Sequence, residues 1–304
     1  MTESFRGMLR ALAALLLVML ALYEVQAFPG MTPPAAGELP RRAAVLLPRG
    51  DVFQPLLADP KQPLFRASLL LTRASFLNTF IGAVGYGENI GIVRWTTTRP
   101  TAGSLQVSLA GGVFAQFDLA SPSHGLVNAD YLIGLPVTYG RGAVAARARI
   151  YHQSSHLGDE FLLREQPERQ NLSFEAVELI LSLRWGAVRG YGGGEYLVNR
   201  DPADLDPAVL HAGLEYRHPR AVLTGRNLGA GRWIAAVDLK SWQSRMEVLA
   251  WSVRGGLELS PAQADGPGIR RLSLLLEYYN GASPYGQFYS ENISFLGAGA
   301  QFNL

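Results

Sequence analysis

The sequence predicts an all-β fold: a transmembrane antiparallel β-barrel of about twelve strands, preceded by a signal peptide and a proline-rich segment. Three observations predict it. Apolar residues alternate with polar or small ones through most of the 304 residues. Mean hydropathy is only +0.09, with no second long apolar run after the N-terminus. Glycine is abundant at 33 residues and aromatics make up 10%. A chain that crosses a bilayer with strands spreads its hydrophobicity over alternate positions, whereas a helix concentrates it in one run.

The first 27 residues read as a cleaved signal peptide. Arg6 and Arg10 precede the apolar run from Ala11 to Leu22, and Val25, Gln26 and Ala27 place small residues where a signal peptidase reads them. The run is too short to span as a helix, so export to the bacterial outer membrane is expected. Residues 28–75 form a second region. "FPGMTPPAAGELPRR" is extended, and "LLPRGDVFQPLLADPKQPLFRAS" is punctuated by prolines that bar central strands. A periplasmic arm and a plug inside the lumen both fit. The barrel is expected over 76–304.

Composition narrows the function classes. There is no cysteine, which excludes disulfides, thiol chemistry and Cys metal sites. A net charge of +2 with 17% charged residues offers no nucleic-acid surface. The expected partners are outer-membrane lipids and, during biogenesis, the barrel-assembly machinery.

Within the barrel region the period is two. Leu210, Ala212, Leu214 and Tyr216 oppose His211, Gly213, Glu215 and Arg217. Trp233, Ala235, Val237 and Leu239 oppose Arg232, Asp238 and Lys240, and Trp251, Val253, Leu257 and Leu259 oppose Ser252, Arg254, Glu258 and Ser260. Leu272, Leu274, Leu276 and Tyr278 oppose Arg271, Ser273, Glu277 and Tyr279. Turns are expected at "GYGEN", "TTRPTAGS", "SPSHG", "GRG", "NRDPADLD", "QSR" and "AQADGPG". Counting runs from Asn78 onward yields about twelve strands of about ten residues, long enough to cross a bilayer when tilted. A soluble β-sandwich also alternates. Strand length, one large apolar face and aromatics toward strand ends (Trp185, Tyr216, Trp233, Tyr278) favour the membrane barrel. So does the last stretch, "FLGAGAQFNL", where Leu296, Ala298, Ala300, Phe302 and Leu304 share a face.

The chemistry-bearing stretch is "IYHQSSHLGDEF", residues 150–161. Val144, Ala146, Ala148 and Ile150 define an apolar face whose parity carries His152, Ser154 and His156 toward lipid. His152 lies ten residues beyond Gly142. At about 3.3 Å per residue and a tilt near 40° it has climbed roughly 25 Å, the full height of the apolar band. Strand parity makes this the fifth, ascending strand, followed by a long outer loop, "LGDEFLLREQPERQ". The next strand carries Asn171, Ser173 and Glu175 on the same outward face. A His and a Ser two residues apart, with a polar orienter alongside, form the arrangement that base-assisted serine nucleophiles use.

Two resemblances follow from these residues. "HQSS" on an outward-facing strand resembles the His-x-Ser motif of outer-membrane phospholipase A, also a barrel of about twelve strands, and lipid A deacylase is similar in using a lipid-facing His and Ser. The first implies His152 as base, Ser154 as nucleophile, Asn171 as orienter and calcium as cofactor, with lipid acyl esters as substrate. The phospholipase motif continues with Asn-Gly, whereas Ser155 and His156 stand here. The second resemblance covers most of the mature chain: "PLLADPKQP", "DYLIGLPVTY", "YHQSSHLGDEFL" and "SPYGQF" resemble a family of bacterial outer-membrane barrels, DUF1207, which implies location and no chemistry.

Pairing the two strands from their inner ends sets His152 opposite about residue 176 and favours Glu175 over Asn171 as third member; the stagger keeps both open. His156, Asp159 and Glu160 form an alternative metal site, imidazole and carboxylates together suiting zinc, calcium or another divalent ion. Arg147, Arg149, Glu178 and Arg184 are expected as lumen ion pairs or a basic pore lining, and Gly192, Gly193 and Gly194 as close backbone packing. Two functional classes stand: a lipid-facing acyl-ester hydrolase, and a non-catalytic barrel serving as a small pore or surface scaffold.

Overall fold

The computed structural model describes residues 42–75, 77–97, 103–167, 170–225, 229–246, 248–261 and 269–303. The signal-peptide reading, the "AQADGPG" turn and Leu304 lie outside them. A short ribbon strand, β1 (Arg42–Leu46), precedes a closed ring of twelve antiparallel strands. The ring runs β2 (Phe65–Ala74), β3 (Asn78–Thr97), β4 (Gly103–Asp118), β5 (Leu126–Arg141), β6 (Val144–Leu157), β7 (Leu172–Trp185), β8 (Val188–Asp201) and β9 (Ala208–Arg217). After the short β10 (Leu223–Gly225) it continues with β11 (Gly229–Trp242), β12 (Ala250–Ser260), β13 (Arg271–Ala282) and β14 (Asn292–Asn303). β14 pairs with β2, so the sheet has no open edge. Two strands are extra: β1 pairs with the overhanging end of β3, and β10 with β11.

The alternation read from sequence is the inside-outside alternation of the wall. Leu210, Leu214, Trp233, Leu274 and Leu276 are about half exposed on the outer surface, while His211, Glu215, Asp238 and Glu277 are buried inside. Trp185, Tyr216 and Trp233 ring one end; Tyr131, Trp251 and Tyr278 ring the other. The first end carries the tight connections Gly142-Ala143 and Gly186-Ala187, in which both glycines adopt positive φ (57° and 58°) that a side chain would strain. We call it the turn end and the opposite one the loop end.

Several expectations are corrected. The barrel starts at Phe65 instead of residue 76: the prolines stop at Pro63, and Ala67, Leu69 and Leu71 then alternate outward as in any other strand. "GYGEN" is no turn but the middle of β3, and its glycines mark close approach. A Cβ on Gly87 would meet Pro63 Cα at 3.0 Å. The outer loop after β6 contains a helix, α1 (Asp159–Glu165), two turns long with only Phe161 buried, too short to show a stripe. Among the described residues no helix is long and apolar enough to cross a membrane.

The lumen is filled. Residues 51–64 run inside the barrel as a plug, with Leu56, Leu57, Ala58 and Leu64 buried. Strands around the whole ring hold its backbone and side chains. Leu57 N donates to Glu215 at 2.7 Å, Arg254 Nη1 to Leu57 O at 2.9 Å, Arg189 Nη2 to Gln54 O at 2.9 Å, and Lys240 pairs with Asp59 at 3.1 Å. Arg147 and Arg189 stack over the Phe53 ring at 4.9 and 4.6 Å. The expected lumen ion pairs form: Arg147 and Arg149 both bind Glu178, at 2.8 and 2.7 Å. Arg184 stands apart from them and donates to Gln54 Oε1 at 2.7 Å. Gly193 packs as expected, since a Cβ there would fall 1.9 Å from Leu179 O.

A second seal closes the loop end, where residues 283–288, "SPYGQF", fold inward and Phe288 meets Phe161 of α1 edge to face at 6.0 Å. Asp130 joins both seals. Its carboxylate accepts from Lys61 of the plug, from the Ser155 hydroxyl and from Gly286 N at 3.1 Å.

Candidate functional site

β6 delivers His152, Ser154 and His156 to the outer wall as parity requires, with Gln153 and Ser155 buried inside. β7 presents Ser173 and Glu175 on the same surface. The register sets His152 directly opposite Glu175 and Ser154 opposite Ser173, one residue from the pairing inferred by counting. His152 Nδ1 lies 2.9 Å from Glu175 Oε1, both side chains being a third or more exposed. That bond holds the imidazole with Nδ1 protonated and leaves Nε2 as the acceptor. Glu175 is therefore the residue bonded to His152, whereas the Asn171 amide donates to Asp201 Oδ2 at 2.7 Å, nearer the loop end.

One member had no signal in the sequence. Asn199 Nδ2 donates to Glu175 Oε2 at 2.9 Å, fixing the carboxylate from its far side. Strict alternation from the outward Tyr196 and Val198 would turn Asn199 inward. A bulge on β8 opposite Glu175/Ala176 inserts one residue and brings Asn199 back outside. Bulges of this kind re-aim side chains.

The surroundings divide the wall by polarity. Tyr131 pairs with Ser154 in register and stacks edge to face on His156 at 5.8 Å, while Ile133, 57% exposed, pairs with His152. Below the site, toward mid-wall, lie the exposed Leu135 and Leu181; above it lie Asn171, Asp201 and α1. The Ser154 hydroxyl makes no hydrogen bond to another described residue.

The metal alternative does not assemble. His156 is engaged with Tyr131, Glu160 accepts from the Ser123 hydroxyl across the loop, and Asp159 sits in the exposed first turn of α1. Among the described residues no three His, Asp or Glu side chains converge on one point.

Comparison with known proteins agrees with the architecture. The profile of DUF1207, a protein of unknown function, matches residues 35–304. The chain belongs to that family. Its fold resembles outer-membrane phospholipase A from Escherichia coli, with 11% identity, a TM-score of 0.50, and 82% of this chain and 93% of that one covered. OccK11 (OpdR) from Pseudomonas aeruginosa aligns over 81% of this chain and 99% of its own at 9% identity, with a TM-score of only 0.30. No curated protein matches the sequence. The chain is thus a barrel of outer-membrane type, and at such identities the likeness concerns the fold alone.

Proposed function

We propose that this barrel is a lipid-facing serine hydrolase acting on acyl esters of outer-leaflet lipids, with Ser154 as nucleophile, His152 as base, Glu175 as orienter and Asn199 as the group that positions Glu175. The observation that carries the reading is the Glu175–His152 bond of 2.9 Å on the outer wall, two residues from a serine on the same face. Long loops of such barrels face outward and short turns face the periplasm, which supports a site in the outer leaflet. Its height between apolar wall and polar rim matches the ester level of a phospholipid, with the exposed Ile133 and Leu135 as the track for an acyl chain.

In the reaction His152 Nε2 takes the Ser154 hydroxyl proton as Oγ attacks the ester carbonyl. Collapse of the tetrahedral intermediate expels the lysolipid alkoxide, which receives that proton. Water, deprotonated by the same imidazole, then attacks the acyl-serine and releases the fatty acid. The competing reading as an open pore has no counterpart in a lumen filled by residues 51–64 and 283–288.

The test is hydrolysis of a diacyl phospholipid and of lipid A in mixed micelles, with and without calcium, by the refolded chain and by S154A, H152A and E175Q. S154A and H152A should lose activity by on the order of 10²–10⁴-fold, with the folded electrophoretic mobility retained. E175Q should lower the rate and change the pH profile, because the amide no longer stabilises the imidazolium. Wild-type turnover no higher than that of S154A would refute the assignment and leave the wall a structural scaffold.

A further inference from the structure

At the turn end, on the inner side of the wall and remote from Ser154, a cavity of about 650 Å³ opens above the plug residues Val52 and Gln54. Among the described residues its lining carries seven arginines against three carboxylates. Arg184, Arg189, Arg217, Arg232 and Arg271 come from five different strands, β7, β8, β9, β11 and β13. Glu215 is shared by Arg189 Nη1 at 3.2 Å and Arg217 Nη1 at 3.7 Å, and Glu258 by Arg217 Nε at 3.2 Å and Arg271 Nε at 3.8 Å. Arg184 has the neutral amide of Gln54 as its side-chain partner. A purely structural network tends to match its charges, as the one-to-one pairs Lys61–Asp130, Lys240–Asp59 and Arg254–Glu277 do deeper in the barrel. Here the like charges converge on open space, where low-dielectric walls focus their field.

We propose that this vestibule binds a small, multiply charged phosphate-bearing anion, held by Arg184 and Arg271 with support from Arg217. Guanidinium groups suit phosphate because their planar fork gives paired, charge-assisted hydrogen bonds. The volume falls within the range of small-molecule sites. Both a soluble phosphorylated compound and a phospholipid headgroup carry this chemistry. The proposal is independent of the hydrolase reading, since the two sites lie on opposite faces of the wall and at opposite ends of the barrel.

The experiment is calorimetric titration of the folded barrel, in nanodiscs of phosphatidylcholine, with inorganic pyrophosphate at low salt. Saturable one-site binding is expected, weakened at least tenfold in the R184Q/R271Q variant and unchanged in R73Q, which alters an outward arginine at the loop end. The competition arm repeats the titration in nanodiscs containing phosphatidylglycerol. Weaker pyrophosphate binding there would identify the headgroup as the occupant, and unchanged binding a soluble one. Absence of saturable binding, or equal affinity in wild type and R184Q/R271Q with both folded, would overturn the proposal.

Discussion

Replacing Glu178 with alanine asks how much of this barrel's stability resides in its interior charges. Glu178 is 2% exposed and accepts from Arg147 Nε at 2.8 Å, Arg147 Nη2 at 3.3 Å and Arg149 Nη2 at 2.7 Å. Its removal leaves two guanidinium groups, each 5% exposed, without the carboxylate between them. Breaking a buried pair in this way costs about 3–5 kcal/mol, most of it the penalty of stranding charge. Two features place the value toward the lower bound. Arg147 keeps Gln62 Oε1 at 3.0 Å and the Phe53 ring, and Arg149 borders a cavity of about 100 Å³ that admits water. The expected loss is therefore about 3 kcal/mol, a large share of a typical stability of about 5–15 kcal/mol. E178Q, which keeps the shape and an acceptor, should lose roughly half as much. Urea titration of the folded barrel in detergent, read by heat-modifiable mobility and tryptophan fluorescence, measures both. A change below about 1 kcal/mol in E178A would refute the argument, showing that lumen water already carries the charges.

Two further outcomes concern the seals. Burial pushes the carboxyl of Asp51, in the segment between β1 and β2, up to about 7, against the opposing pull of hydrogen bonds from Asn89 and Gln106. A raised carboxyl favours the folded state below its ordinary value of 3.8 and loses that contribution as pH rises through about 7. The denaturation midpoint of the wild type should therefore fall between pH 5 and 8 by more than that of D51N; equal declines would show that Asp51 does not titrate in this window. The plug and the 283–288 loop close the lumen at two levels that meet at Asp130. Replacing either with a Gly/Ser linker should leave planar bilayers silent and replacing both should produce steady conductance, whereas current from one replacement alone would show that a single seal carries the closure.

What the sequence made legible was whatever depends on period two. Leu210 against His211, or Leu274 against Ser273, had to fall on opposite faces once the strands existed, and that logic placed His152 and Ser154 outside. Register was nearly legible: setting Ala143 near Trp185 paired His152 with about residue 176, and the true partner is Glu175. Features that depend on distant contacts were not. The prolines near Pro55 and Pro60 announced irregular backbone, but its lodging in the lumen rests on Glu215 receiving Leu57 N from 158 residues away. The glycines of "GYGEN" read as a turn because local sequence does not distinguish a bend from a place where another chain segment passes close. Asn199 was hidden by a change of parity, and Asn171 entered through the phospholipase resemblance, while its bond to Asp201 depends on a register that the sequence does not show.

The inserted residue in β8 has a mechanical meaning. It acts as a phase shifter in an otherwise binary code, so the outer site depends on strand length as well as on residue identity. Deleting Val198 would make the ladder regular with Leu197 still inward opposite Ala176 and Asn199 still outward opposite Glu175, whereas inserting one residue between Glu175 and Ala176 would pair it with Val198 and turn Glu175 and Asn199 inward together.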